Sequence, residues 1–112
     1  GPTAGMGYAT GAGGAGVQGT SRTTTVTVDK VCGSITLFSA AGSTTPFSFT
    51  VSNSTVAATD TIIVNQKSGT DKYDIDVTAV AAGSFQLTLN TKSGTTTETP
   101  VFNFAVIKAV AA

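Results

Sequence analysis

From Arg22 onward the chain alternates apolar and polar side chains with a period of two, and this constrains the fold more than anything else in it. Val26 and Val28 alternate with Thr25 and Thr27; Phe47, Phe49 and Val51 with Ser48, Thr50 and Ser52. Tyr73, Ile75 and Val77 alternate with Asp74, Asp76 and Thr78; Phe85, Leu87 and Leu89 with Gln86, Thr88 and Asn90. Successive side chains of a strand point to opposite faces, so each run predicts a strand with one buried and one wet face. Segments 34–38, 61–64 and 101–107 are more continuously apolar and read as central strands or strands covered on both faces. No window carries the 3.6-residue period of an amphipathic helix; 56–59 offers one turn at most.

Turn signals separate these runs. Ala40-Ala41-Gly42-Ser43, Lys67-Ser68-Gly69-Thr70, Ala81-Ala82-Gly83-Ser84 and Lys92-Ser93-Gly94-Thr95 each contain a Gly, the residue that supplies the positive φ of tight hairpin turns. About seven to eight short strands at this spacing predict an all-β fold, an antiparallel β-sandwich of jelly-roll or Ig-like type. The expected core is Val26, Val28, Ile35, Leu37, Phe47, Phe49, Ile62, Val64, Ile75, Val77, Phe85, Leu87, Phe102 and Phe104.

Composition narrows the function. The 112 residues make one domain. With no His, imidazole acid–base chemistry, the Ser-His-Asp triad and His metal ligation are excluded. One Cys makes neither an internal disulfide nor a structural zinc site. Six basic residues balance six acidic ones, which argues against a nucleic-acid or anionic-membrane partner. No apolar run reaches the roughly 20 residues needed for membrane insertion as a helix. The chain holds 22 Thr, and a Thr-rich, charge-poor surface suits packing against identical copies or sugars.

The pattern divides the chain at about Thr20. Residues 1–20 are glycine-rich and read as a flexible arm or linker, opened by a Gly-Pro at 1–2 that looks like a protease scar. Residues 21–112 are the β-sandwich module. Within it, Val64-Asn65-Gln66-Lys67-Ser68-Gly69-Thr70 resembles Leu89-Asn90-Thr91-Lys92-Ser93-Gly94-Thr95, which predicts two similar hairpins with their Lys turns at one end.

Signals for chemistry are weak. Gly11-Ala12-Gly13-Gly14-Ala15-Gly16 matches a dinucleotide-binding string but lacks the strand before and the helix after that make it work. Asp71, Asp74 and Asp76 are the one acidic cluster; they read as solvated charges, since neither a calcium loop nor a glycosidase cleft accompanies them. Cys32 has no base to activate it and reads as a buried, inert thiol. Asn53-Ser54-Thr55 is a coincidental glycosylation sequon. Tyr8 lies in the arm, and Tyr73 reads as packed, so neither makes a sugar platform. No catalytic, cofactor-binding or metal-binding residue is assigned, and the chain reads as non-enzymatic with no cofactor.

Gly7-Tyr8-Ala9-Thr10-Gly11-Ala12-Gly13-Gly14 and Val17-Gln18-Gly19-Thr20-Ser21-Arg22-Thr23-Thr24 resemble the start of a β-module of tailed-bacteriophage and prophage virion proteins. Ser34-Ile35-Thr36-Leu37, Val56-Ala57-Ala58-Thr59-Asp60, Val80-Ala81-Ala82-Gly83-Ser84 and Phe102-Asn103-Phe104-Ala105-Val106-Ile107-Lys108 continue the resemblance. Ala15-Gly16 departs from it, standing where a Thr-Val pair is usual. The resemblance implies a virion component on the particle exterior, commonly trimeric: a C-terminal module of a fibre or tailspike, or a capsid decoration (head-stabilising) protein. A carbohydrate-binding surface β-sandwich is the alternative outside that family. The expected partners are copies of itself, other virion proteins and a host-surface glycan.

The last strand is apolar on both sides, with Phe102, Phe104 and Val106 on one and Val101, Ala105 and Ile107 on the other. One side serves the domain's own core. The other needs a cover, which a symmetry mate supplies in a closed ring. Val101, Ala105 and Ile107 are therefore the expected interface of a homotrimer.

Overall fold

The computed structural model describes residues 12–108. Gly1-Pro2, Tyr8, Gly11 and the rest of 1–11 lie outside the described residues, as do 109–112. Ten strands run in the order β1 (Gly13–Val17), β2 (Val26–Thr27), β3 (Cys32–Thr36), β4 (Ala40–Ala41), β5 (Phe47–Ser52), β6 (Thr61–Ser68), β7 (Tyr73–Ala81), β8 (Ser84–Thr91), β9 (Thr97–Glu98) and β10 (Val101–Ile107). The fold is all-β, with no helix among the described residues.

The strands form two four-stranded sheets, β1-β3-β10-β6 and β2-β5-β8-β7, and a small β4-β9 ribbon. The strongest alternations lie at the sheet centres. In β8, Phe85, Leu87 and Leu89 are buried and the residues between them are not; in β10, Phe102, Phe104 and Val106 are buried in the same way. These inner faces meet. The Phe85 and Phe104 rings lie 5.6 Å apart, and Tyr73 meets Phe102 edge-on at 5.6 Å. Ten of the fourteen expected core residues are buried; Phe47, Val64, Ile75 and Val77 are partly buried and pack against them. Val51, Val56, Tyr73, Leu89 and Val106 complete the core.

The expected sandwich is present with three differences. Its pairing is mixed, because β1–β3 and β2–β5 are parallel. Parallel neighbours need a long crossover, and here each crossover passes through the other sheet: 18–31 carries β2 between β1 and β3. Next, the arm does not extend to residue 20. Gly13–Val17 is a paired strand, and the backbone N–H of Gln18 continues the ladder to the Thr36 carbonyl at 2.8 Å. Glycine carries no apolar signal, so a strand held by its backbone reads as a linker. Finally, three of the ten strands are two residues long, too short for a period to register.

A bulge changes the phase of β7. The β7–β8 register shifts between Val77 and Ala79, leaving Thr78 unpaired, so Val80 rather than Ala79 packs against the core. At the β3 edge, Gly33 is required by close approach. A Cβ there would overlap the Gly14 carbonyl of β1.

Candidate interaction face

The residues that point away from the core divide into three regions: the outer face of each sheet and one polar end. The outer face of the β1-β3-β10-β6 sheet can be read from its register. One row runs Val17, Thr36, Val101; the next Ala15, Ser34, Asn103, Asn65; the third Gly13, Cys32, Ala105, Ile63; Ile107 and Thr61 close it. The three expected interface residues, Val101, Ala105 and Ile107, therefore share this face at every second position of β10. Ile63 joins them at 53 % exposed and Val17 at 75 %; Ile107 is 39 % exposed. No paired outward position carries a charge. Lys67 borders a shallow groove lined by Gly13, Gly14, Ala15, Gly33, Ser34 and Asn103.

The expected interface left out Val17 and Ile63. Val17 falls in the glycine-rich stretch, and Ile63 sits in the unbroken run Ile62-Ile63-Val64. The run itself held the signal, since one of three consecutive strand residues faces opposite to its neighbours. Cys32 is also here. It is half-buried rather than buried, because Ile35 and Leu37 take the inward phase of β3.

The outer face of the other sheet is polar. Ser48 and Thr88 hydroxyls lie 2.7 Å apart, Thr78 and Thr88 hydroxyls 2.8 Å, and Thr78 donates to Gln86 Oε1 at 3.1 Å. Asp74 and Asp76 are exposed on β7, with Lys92 3.4 Å from Asp74.

The polar end is built from loops. Asp71 is buried and does not join Asp74 and Asp76: its carboxylate accepts from the Thr96 N–H and hydroxyl, each at 2.8 Å. The Lys92 N–H donates to the Lys72 carbonyl at 3.0 Å, joining the Lys92 turn to the segment that follows the Lys67 turn. The Glu98 carboxylate accepts from the N–H groups of Thr70 and Asp71 and from the Tyr73 hydroxyl. Desolvation pushes the Glu98 carboxyl up, but these donors outweigh it, and its pKa lies below the ordinary value. Burial raises the Tyr73 pKa, and its bond to Glu98 adds to that. Arg22 is buried beneath this end. It donates to the carbonyls of Phe38 (2.9 Å), Ala40 (2.7 Å) and Glu98 (2.7 Å) and so ties the β4-β9 ribbon to the sandwich.

The hydrogen bonds at this end brace its loops against one another. Tyr73 is used in the core and on Glu98, which removes it as a sugar platform. Asn53 is fully buried; its amide donates to the Lys30 carbonyl at 2.7 Å and its Oδ1 accepts from Thr55, so the sequon is closed to modification. Gly13, Gly14 and Gly16 of the dinucleotide-like string lie on a strand with no helix after it. Among the described residues, no three Cys, Asp or Glu side chains converge to hold a metal. Compared with family models, with curated proteins and with solved structures, the chain matches none.

Proposed function

We propose that the chain is a non-enzymatic structural module of a bacteriophage particle, working as a homotrimer at the end of a fibre or tailspike in assembly and attachment to the host surface. The single observation that carries the assembly part is the charge-poor outer face of the β1-β3-β10-β6 sheet, where Val17, Val101, Ala105, Ile63 and Ile107 flank the polar row of Ser34, Asn103 and Asn65 and Lys67 borders the groove. Covering such a face recovers apolar area and desolvates few strongly hydrated groups. A closed cyclic assembly presents the same face from every copy. The virion part rests on the sequence resemblance, and a capsid-decoration site of threefold symmetry makes the same demand on the face.

Sedimentation equilibrium of the native protein at micromolar concentration tests the assembly. A mass near three times 11.1 kDa is expected, and Ile107→Asp is expected to return it to 11.1 kDa. A native mass of 11.1 kDa at those concentrations refutes the reading. Antibody-gold labelling of intact particles then distinguishes fibre ends from the capsid surface, and no labelling at either place refutes the virion assignment.

A further inference from the structure

We propose that β1 is an exchanged strand: in the assembly, Gly13–Val17 of each copy sits against β3 of the next copy, closing the ring. The inference rests on the assembly reading above, because a second copy must be present to receive the strand. Two independent features of the chain point to it.

The first is how β1 is held. Its inward positions are Gly14 and Gly16, and neither sends a side chain into the core. A Cβ on Gly16 would come within 2.6 Å of Val26 Cγ1 and Val28 Cγ2; one on Gly14 would come within 2.8 Å of Lys30 Cγ. The slot beside β3 thus accepts a strand without inward side chains, bonded through its backbone. Gln18 ends the strand with its N–H on Thr36, its Nε2 donating to the Thr24 carbonyl at 2.9 Å and its Oε1 accepting from the Phe38 N–H at 3.1 Å. Every one of these partners belongs to the receiving side of the slot. An identical strand from a neighbouring copy satisfies all of them, so exchange keeps every one of these strand contacts.

The second is the hinge. Between Gln18 and the anchored Arg22 lie only Gly19, Thr20 and Ser21. Thr20 is β-branched and held at φ 67°, the one non-glycine residue with positive φ among the described residues. That conformation is strained for a branched side chain. The Ser21 N–H bonded to the Gly19 carbonyl at 2.7 Å shows how tightly the chain reverses. Folding β1 back onto its own β3 requires this strain; extending the hinge into a neighbour removes it. Short strained hinges favour strand exchange for this reason. Three extended residues reach about 10 Å, so the receiving edge must belong to a directly adjoining copy.

The native thiol gives a direct test. Gly13 and Cys32 are register partners, and a Cβ on Gly13 would lie 3.6 Å from Cys32 Sγ. Gly13→Cys is oxidised at a concentration where the native protein is assembled, then run on a denaturing gel without reductant beside the native protein as control. Exchange is expected to give a covalent ladder ending at three chains. A single 11.1 kDa band carrying the disulfide overturns the proposal while leaving the trimer intact, and a variant that forms no disulfide overturns it too. A second variant adds four Gly/Ser residues after Gly19 in the Gly13→Cys background. The relaxed hinge is expected to collapse the ladder into an intramolecular disulfide, and an unchanged ladder contradicts the role given to the hinge. A monomeric native protein fails the assembly reading itself.

Discussion

On the outside of β8 and its neighbours, Ser48, Thr78, Thr88 and Gln86 are bonded to one another, and Asp74 and Asp76 stand beside them. On the outside of β10 and its neighbours, Val17, Ile63, Val101, Ala105 and Ile107 stand among Thr36, Ser34, Asn103 and Asn65. Both faces are made of small, mostly uncharged residues, and both sheets put their aromatic rings into the same core. The difference lies in where the outward hydrogen-bonding capacity goes. The β8 face satisfies its own hydroxyls laterally and keeps carboxylates in water, where two copies of it would repel. The β10 face carries apolar side chains and no carboxylate, with Lys67 at its border, so copies of it would meet with less of that penalty. In this molecule the difference between a hydrogen-bonded polar face and a more apolar one turns on a few positions per strand.

The comparison assumes that the core is common to both sheets. Phe104→Ala on the β10 side and Phe85→Ala on the β8 side should therefore each cost about 3–5 kcal/mol in denaturant unfolding. A cost below ~1 kcal/mol for either would show that the sheets do not share one core.

A charge placed on each face separates them next. Ile63→Asp should weaken association by several kcal/mol while the folded chain keeps a near-native circular dichroism spectrum. Thr50→Asp on the β8 face should leave the assembled mass unchanged. Equal loss of assembly by both variants would erase the distinction.

The polar end belongs to neither face and should respond to pH instead. Because the Glu98 pKa is lowered by folding, the carboxylate stabilises the native state above its unfolded value, about 4.5, and that contribution is lost as pH falls through the folded value. Glu98→Gln should cost about 1–2 kcal/mol at pH 7 and flatten part of the acid slope of the melting temperature. Tyr73 has the opposite sign: its raised pKa gives stability that is full below about pH 10 and lost as pH rises through the folded value. An acid slope unaffected by Glu98→Gln would assign it to other carboxylates. The smallest effect should come from the β8 hydroxyls. Thr88→Ala removes the acceptor or donor shared by Ser48 and Thr78 at a surface open to water, and about 0.5–1 kcal/mol is expected.

How much of this was legible beforehand follows from which groups hold each part together. The inner faces of β5, β8 and β10 were readable because their apolar side chains repeat every second residue, and the same parity placed Val101, Ala105 and Ile107 opposite Phe102 and Phe104. β1 was not readable, because its place depends on the absence of side chains at Gly14 and Gly16. Thr78 hid a change of phase that only the β8 register reveals. Asp71 with Thr96, and Tyr73 with Glu98, are each 25 residues apart in sequence and meet through loops whose course no local pattern encodes. Parity could have placed Ile63 outside once Ile62 and Val64 were assigned inside. Nothing local could have paired Gly13 with Cys32.

Cys32 reports on the central claim directly, since it stands in the row with Gly13, Ala105 and Ile63. The measurement is its rate of reaction with a soluble thiol reagent across a dilution series of the native protein, with Ile107→Asp as reference. If the β10 face is covered by other copies, labelling should be slow at micromolar concentration, speed up on dilution, and match the Ile107→Asp rate at the dilute end. A rate independent of concentration and equal to that of Ile107→Asp throughout would contradict the account, because the face would then be open to water in the native protein.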